Sequence, residues 1–178
     1  MRIISGKHKS KHINAPHNLP VRPTTDMAKE ALFNILNNTY YFDQISVLDL
    51  FAGIGSISFE FASRGTKNII SVDKDYGCIK FLEKTSKELE TNIQIIKSNA
   101  YTFLEKTGQK FDAIFADPPY DFPPERFQKI VDIVFERNLL NEDGMLIIEH
   151  SKFTDLSGNK TFVNSRKYGG NTFSFFEG

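Results

Sequence analysis

Apolar positions along the chain recur in two alternating rhythms. Ile45-Ser46-Val47-Leu48-Asp49-Leu50, Asn68-Ile69-Ile70-Ser71-Val72-Asp73, Ile93-Gln94-Ile95-Ile96, Phe111-Asp112-Ala113-Ile114-Phe115-Ala116 and Gly144-Met145-Leu146-Ile147-Ile148-Glu149 are short apolar runs with the length of buried strands. Helical stretches lie between them at 56–64, closed by Gly65, at about 75–90 and at 124–137. A further helix is predicted to begin at Thr24-Thr25-Asp26, because Ala28, Ala31, Leu32, Ile35 and Leu36 follow at the spacing of one helical face. Strands that alternate with helices predict parallel βαβ units and an α/β, doubly wound, Rossmann-like sheet. The last stretch departs from this alternation. Residues 160–163 and 172–176, separated by Lys167-Tyr168-Gly169-Gly170, predict a terminal antiparallel hairpin. At the other end, Arg2-Ile3-Ile4 and His12-Ile13 flank a turn at Gly6 and predict a small β-hairpin, followed by prolines at 16, 20 and 23.

With 178 residues, 40% of them hydrophobic, the chain can build one globular core. Cys78 is the single cysteine, which excludes an intrachain disulfide framework and a Cys-based zinc site. No run of about 18 apolar residues and no cleavage signal occurs, so a cytoplasmic setting without membrane contact is expected. Although 22 basic residues balance 22 acidic ones, residues 1–25 carry Arg2, Lys7, Lys9, Lys11 and Arg22 with no acid. A basic arm on an acidic body fits a phosphate backbone, and it equally fits a solvated terminus. His8, His12 and His17 share this stretch, and no metal site is expected from them.

In an open α/β sheet, ligands bind beyond the carboxyl ends of the strands. The first strand there runs into Asp49-Leu50-Phe51-Ala52-Gly53-Ile54-Gly55-Ser56. Gly53 and Gly55 permit a sharp turn and close ligand approach. A dinucleotide fingerprint would need a third glycine where Ser58 stands, and Asp49 would repel a pyrophosphate. Asp49 instead suits the ammonium group of S-adenosylmethionine. Asp73, ending the second strand, is placed for ribose hydroxyls, with Asp75 a weaker candidate. Asn99 and Ala100 follow the third strand, where an amide can meet the adenine edge.

The fourth strand ends in Asp117-Pro118-Pro119-Tyr120. Two prolines stop the strand and leave a rigid backbone without N–H donors. An exocyclic base amine is a poor nucleophile because its lone pair is delocalised into the ring. The Asp117 carboxylate and Pro118 carbonyl can each accept one N–H and turn that lone pair toward a sulfonium methyl, while Tyr120 stacks on the base. Reaching such a pocket requires a flipped or unpaired nucleotide. His150, just after the fifth strand, is a lesser candidate at the substrate mouth.

Taken together, Arg2-Ile3-Ile4-Ser5-Gly6, Arg22-Pro23-Thr24-Thr25-Asp26, Glu30-Ala31-Leu32-Phe33-Asn34-Ile35-Leu36, Leu48-Asp49-Leu50-Phe51-Ala52-Gly53, Ser63-Arg64-Gly65 and Asp117-Pro118-Pro119-Tyr120 resemble the RsmD family of class I 16S ribosomal RNA guanine-N2 methyltransferases over nearly the whole chain. The resemblance implies a seven-stranded sheet with a reversed last hairpin, residues 1–24 as a basic RNA arm and residues 25–178 as the methyltransferase domain. It implies S-adenosylmethionine held by Asp49, Phe51, Ala52, Gly53, Gly55, Asp73, Asn99 and Ala100, catalysis by Asp117 to Tyr120, and phosphate contacts from Arg2, Lys7, Lys9, Lys11 and Arg22 to 16S ribosomal RNA or the small ribosomal subunit. Many such enzymes carry Asp where Asn99 stands, and an amide oxygen still accepts the adenine amine proton. A DNA adenine-N6 methyltransferase uses the same tetrapeptide, but usually with a target-recognition segment for which 178 residues leave no room. A non-catalytic assembly factor with a relic cofactor pocket is the remaining reading, and an intact tetrapeptide argues against it.

Overall fold

The computed structural model describes residues 1–21 and 24–178. In chain order the strands are β1 (Ser46–Leu50), β2 (Asn68–Asp73), β3 (Gln94–Lys97), β4 (Phe111–Ala116), β5 (Leu140–Ser151), β6 (Phe162–Tyr168) and β7 (Asn171–Phe176). The helices are α1 (Asp26–Leu36), α2 (Ser56–Ser63), α3 (Tyr76–Glu88), α4 (Ala100–Lys106) and α5 (Pro124–Glu136). The strands form one sheet in the order β3-β2-β1-β4-β5-β7-β6. All neighbours from β3 to β5 are parallel, and β7 runs antiparallel to both β5 and β6.

Both sheet faces are covered, which is why the strands are nearly continuous apolar runs. Alternate residues enter two separate cores. Val47, Phe115, Ile147 and Phe173 pack with Leu32, Phe33 and Leu36 of α1 and with Phe59 and Phe61 of α2. Leu48, Ile114, Leu146 and Phe176 pack with Leu104 of α4 and Phe127, Ile130 and Val134 of α5. The chain leaves β1 in one direction toward β2 and β3 and returns on the other side through β4, so a crevice opens where β1 and β4 separate.

The doubly wound sheet and the reversed hairpin match the sequence pattern, while several boundaries differ. Helix α4 lies in a stretch without a clear apolar stripe, because its seven residues bury only Ala100, Tyr101 and Leu104. Strand β5 extends back to Leu140 through polar residues, with a register shift opposite Phe111 and Ala113. Strand β6 covers Phe162–Tyr168 rather than 160–163, and the turn contracts to Gly169-Gly170. As an edge strand it is mostly exposed, so its position comes from pairing with β7 rather than from apolar alternation.

The N-terminal hairpin forms around an antiparallel bridge between Arg2 and His12. Ile3 and Ile13 are buried in the core that α1 and α2 share with the sheet. The carboxylate of Glu60, fully buried on α2, accepts the Ile4 and Ser5 N–H groups at 2.8 and 3.0 Å and Arg64 Nε at 2.9 Å. Lys29 of α1, equally buried, lies 3.8 Å from Glu60 and donates to the Arg2 carbonyl at 2.6 Å and Ser56 Oγ at 3.3 Å. Burial lowers the Lys29 pKa and the Glu60 charge opposes that shift.

Removing Glu60 alone would strand a buried ammonium. Glu60→Ala is expected to cost about 3–5 kcal/mol, seen as a lower urea midpoint at unchanged slope. The double change Glu60→Leu with Lys29→Met should recover only the part owed to the stranded ammonium, because the Ile4 and Ser5 N–H groups and Arg64 still lose their acceptor, and a single-mutant effect below about 1 kcal/mol would remove the pair from the account of hairpin docking.

Candidate active site at the switch point

Residues following β1, β2, β3 and β4 line a cleft of about 1040 Å³, joined by Leu19, Pro20, Val21 and Thr24 from the N-terminal segment. The loop after β1 is sharply folded. Phe51, Gly53 and Gly55 all have positive φ, at 59°, 55° and 78°. A left-handed conformation costs a non-glycine residue roughly 1–2 kcal/mol, and Phe51 is held there by edge contacts to Tyr101 and Phe122. A Cβ on Gly55 would meet Leu82 at 2.5 Å and Phe59 at 2.7 Å, so this glycine is required by protein packing.

Asp49 is almost fully buried and lines the cleft. Its carboxylate accepts the Ser58 N–H at 3.1 Å and the Ser58 hydroxyl, which in turn lies 2.6 Å from Ser71 Oγ. The serine that breaks the dinucleotide glycine pattern therefore fixes the acid. No basic side chain pairs with Asp49 among the described residues. Burial pushes its pKa up to about 7, against the two Ser58 hydrogen bonds.

Asp73 links two loops, since its oxygens accept Gly53 N–H and Asp75 N–H, each at 2.8 Å. Asp75 caps α3 by accepting the Cys78 N–H at 2.9 Å. Asn99 caps α4 in the same manner. Its Oδ1 accepts Tyr101 N–H at 3.0 Å and Thr102 N–H at 3.4 Å. The oxygen expected to take an adenine amine is thus already engaged, and the Nδ2 donor is the atom left for a ligand. Ala100 borders the cleft beside it, as do Phe51, Ala52 and Gly53.

Asp117, Pro118, Pro119 and Tyr120 lie together on the wall formed by the end of β4. Asp117 N–H bonds to the Leu50 carbonyl at 3.3 Å, and the Pro119 carbonyl accepts Phe122 N–H at 3.1 Å. The Tyr120 hydroxyl donates to Glu149 at 2.9 Å. Glu149, buried near the end of β5, also accepts from Thr24 Oγ1 and Asn171 Nδ2, both at 2.6 Å. One carboxylate so joins the start of α1, the tetrapeptide and the start of β7. Sequence reasoning missed this anchor, although an acid closing the run Met145–Ile148 was a signal, because a charge in a buried strand demands donors. It also missed Tyr101, Phe122 and Arg126, whose guanidinium lies 3.6 Å from the Phe122 ring centroid at the cleft wall.

Other candidates sit elsewhere. His150 is buried, with Nδ1 2.8 Å from the Ser151 carbonyl and Nε2 2.8 Å from Ser174 Oγ. Burial lowers its pKa, and it is not among the cleft residues. Arg2 pairs with Asp26 at 3.1 Å. Lys7 N–H and His8 N–H bond to Ser63, placing the Lys7–Lys11 turn at the far end of α2 from the cleft. Arg22 lies outside the described residues. Among the described residues, no group of three or more His, Cys, Asp or Glu side chains is arranged to hold a metal, and no helix is long and apolar enough to cross a membrane.

The family described as conserved hypothetical protein 95 matches residues 1–177. YlbH of Bacillus subtilis is 33% identical over 177 residues, 95% of this chain and 94% of its own. Ribosomal RNA small subunit methyltransferase D of Haemophilus influenzae is 30% identical over 157 residues, covering 85% and 79% of the two chains. Among solved structures, the Thermus thermophilus hypothetical protein TTHA0928 has a TM-score of 0.86 at 25% identity, covering 99% of each chain. The 16S rRNA N2 methyltransferase RsmC of T. thermophilus, solved with AdoMet and guanosine, shares the fold at a TM-score of 0.71 and 21% identity, over 89% of this chain and 45% of that one.

The Glu149 anchor predicts unequal effects of two substitutions. Tyr120→Phe removes one donor from a carboxylate that keeps those of Thr24 and Asn171, and is expected to cost about 1–2 kcal/mol. Glu149→Ala strands the Thr24, Tyr120 and Asn171 donors together and is expected to cost about 3–5 kcal/mol. Urea unfolding checks both, and equal small losses would show that the three segments are held by packing alone.

Proposed function

The chain belongs to the conserved hypothetical protein 95 family, the RsmD-type methyltransferases, and on that premise we propose that it transfers a methyl group from S-adenosylmethionine to the exocyclic N2 amine of a guanine in 16S ribosomal RNA. The observation that carries this reading is that the Asp117–Tyr120 turn shares one cleft with Asp49 and Asp73. When bound, S-adenosylmethionine supplies an electrophilic methyl group. The residues present fit it. Asp49 is a buried acid with no cationic partner among the described residues, and a ligand ammonium would complete it. Each Asp73 oxygen has capacity beyond its backbone bond for a ribose hydroxyl. Phe51, Ile54 and Val72 provide apolar walls, and Asn99 and Ala100 border the adenine end.

At the reacting amine, the Asp117 carboxylate and the Pro118 carbonyl each accept an N–H and aim the lone pair. The Pro118 carbonyl accepts no hydrogen bond among the described residues, whereas that of Pro119 is used to close the turn. Tyr120, tethered through its hydroxyl, stacks on the extruded base. Arg2, Lys7, Lys9, Lys11 and Arg22 contact phosphates, the three lysines doing so away from the cleft along α2. The substrate is ribosomal RNA, free or within the small subunit, and the names of the relatives support that choice.

The test is transfer of labelled methyl groups to unmethylated small-subunit rRNA, followed by nucleoside chromatography. Label is expected in N2-methylguanosine; label in N6-methyladenosine would replace the amine, and none would remove the activity. Asp117→Ala is expected to retain S-adenosylmethionine binding while losing at least about 100-fold in kcat, and undiminished turnover would take Asp117 out of the mechanism.

Asp49 adds a pH dependence. With its pKa at about 7 in the free protein, it is partly protonated near neutrality, and an ammonium partner favours the ionised form. S-adenosylmethionine binding should therefore release a proton and tighten as pH rises through about 7, levelling above it until the ligand amine itself deprotonates. Calorimetry in buffers of different ionisation enthalpy measures the proton. Asp49→Asn should bind more weakly with a flat profile below pH 7, and an unchanged profile would refute the ammonium contact.

A further inference from the structure

Strand β5 does not stop where its neighbour stops. Ile148 is in register with Ala116, the last residue of β4, yet β5 runs on through Glu149, His150 and Ser151, paired with β7 as far as Asn171. Those residues raise a wall roughly 10 Å high beside the catalytic turn. At its crest stands Phe153, 86% exposed, with Lys152 Nζ 5.1 Å from its ring centroid.

This exposure is built into the loop. Phe153 N–H bonds to Ser151 Oγ at 3.3 Å, Thr154 N–H to the Ser151 carbonyl at 3.1 Å, and Lys152 N–H to the Gly170 carbonyl at 3.2 Å. Three residues later Leu156 is buried in the core, so the loop reaches apolar cover and presents Phe153 outside it. The charge is equally uneven. Residues 26–150 carry 13 basic and 20 acidic side chains, whereas residues 151–170 carry Lys152, Lys160, Arg166 and Lys167 against Asp155 alone. Arg166 and Lys167 are exposed on edge strand β6, whose turn meets the Phe153 loop.

An exposed aromatic ring among cations, beside a cleft that takes an unstacked base, has the chemistry of a single-stranded nucleic-acid platform. We propose that Phe153 stacks on a nucleotide flanking the target guanine, while Lys152, Arg166 and Lys167 hold the adjoining phosphates. The assignment rests on the rRNA-methyltransferase reading and adds to it a second RNA contact, on the opposite side of the catalytic turn from the cofactor. The acidic body between the two basic segments keeps the RNA on these segments.

The chain has no tryptophan, so Phe153→Trp creates a single fluorescent reporter. Tyr41→Trp is the control, exposed at 77% just before β1, at the opposite end of the sheet. Titration with a single-stranded oligoribonucleotide spanning the methylated guanine should quench the reporter at position 153 at least about twofold more than the control. Phe153→Ala should raise KM for rRNA roughly tenfold, with kcat and S-adenosylmethionine affinity unchanged. Equal quenching at the two positions, or an unchanged KM, would overturn the platform. If the wild type methylates rRNA and Phe153→Ala has the same KM, the platform fails while the methyltransferase reading stands. If quenching is selective but no rRNA is methylated, the methyltransferase reading fails and takes the flanking-nucleotide assignment with it, leaving Phe153 as an RNA contact without a target guanine. Self-association abolished by Phe153→Ala, with no effect of RNA on the reporter, would assign the ring to a second copy of this chain and overturn the proposal.

Discussion

Carboxylates taken out of water must find donors, and in this molecule the donors come from segments far apart in sequence. Glu60 gathers the N-terminal strand and Arg64, with the Lys29 ammonium nearby. Glu149 gathers Thr24, Tyr120 and Asn171. Asp49 is held by Ser58 and is left without a cation among the described residues. The first two bind the architecture together because an unmet buried charge costs several kcal/mol. The third lines the cleft, where the proposed cationic cofactor would supply its partner.

The sheet divides its labour at the switch point. Strands β1, β2 and β3 end in acids and an amide whose side chains brace the loops: Asp73 joins two of them, and Asp75 and Asn99 cap the helices that follow. On the other side, β4 ends in a turn stiffened by two prolines, and β5 and β7 rise beside it. Because β7 is antiparallel, its first residue, Asn171, arrives at the same edge as the end of β5 and reaches Glu149. An all-parallel sheet would deliver a strand's last residue there instead. The reversed hairpin thus has a use at the site: it supplies one donor to the anchor of Tyr120 and supports the loop carrying Phe153.

Much of this was legible in the chain itself. Runs such as Val47–Leu50 and Met145–Ile148 are apolar because both sheet faces are covered, and the residues after each run are where candidates gather because a parallel sheet brings strand ends to one edge. Asp49, Phe51, Gly53, Asp73, Asn99 and Asp117 to Tyr120 do line one cleft. Helix α4 and strand β6 were obscure, the first for its length and the second because an exposed edge strand has no buried face to mark it.

By itself, the sequence determined the order of the strands and of every helix except α4, the edge where the candidate chemistry gathers, and the rigid acid-Pro-Pro-Tyr turn, since these depend on local periodicity and on backbone limits that proline imposes. Only the tertiary structure decided which acids are bare and which are spent. Glu149 became an anchor through partners at positions 24, 120 and 171, Asn99 spent its oxygen on a helix cap, and the Lys7–Lys11 turn settled at the end of α2 remote from the cleft. A side chain's hydrogen-bonding capacity is local, but its partners are supplied by whatever the fold brings within about 3 Å, and that distance bears no relation to separation along the chain.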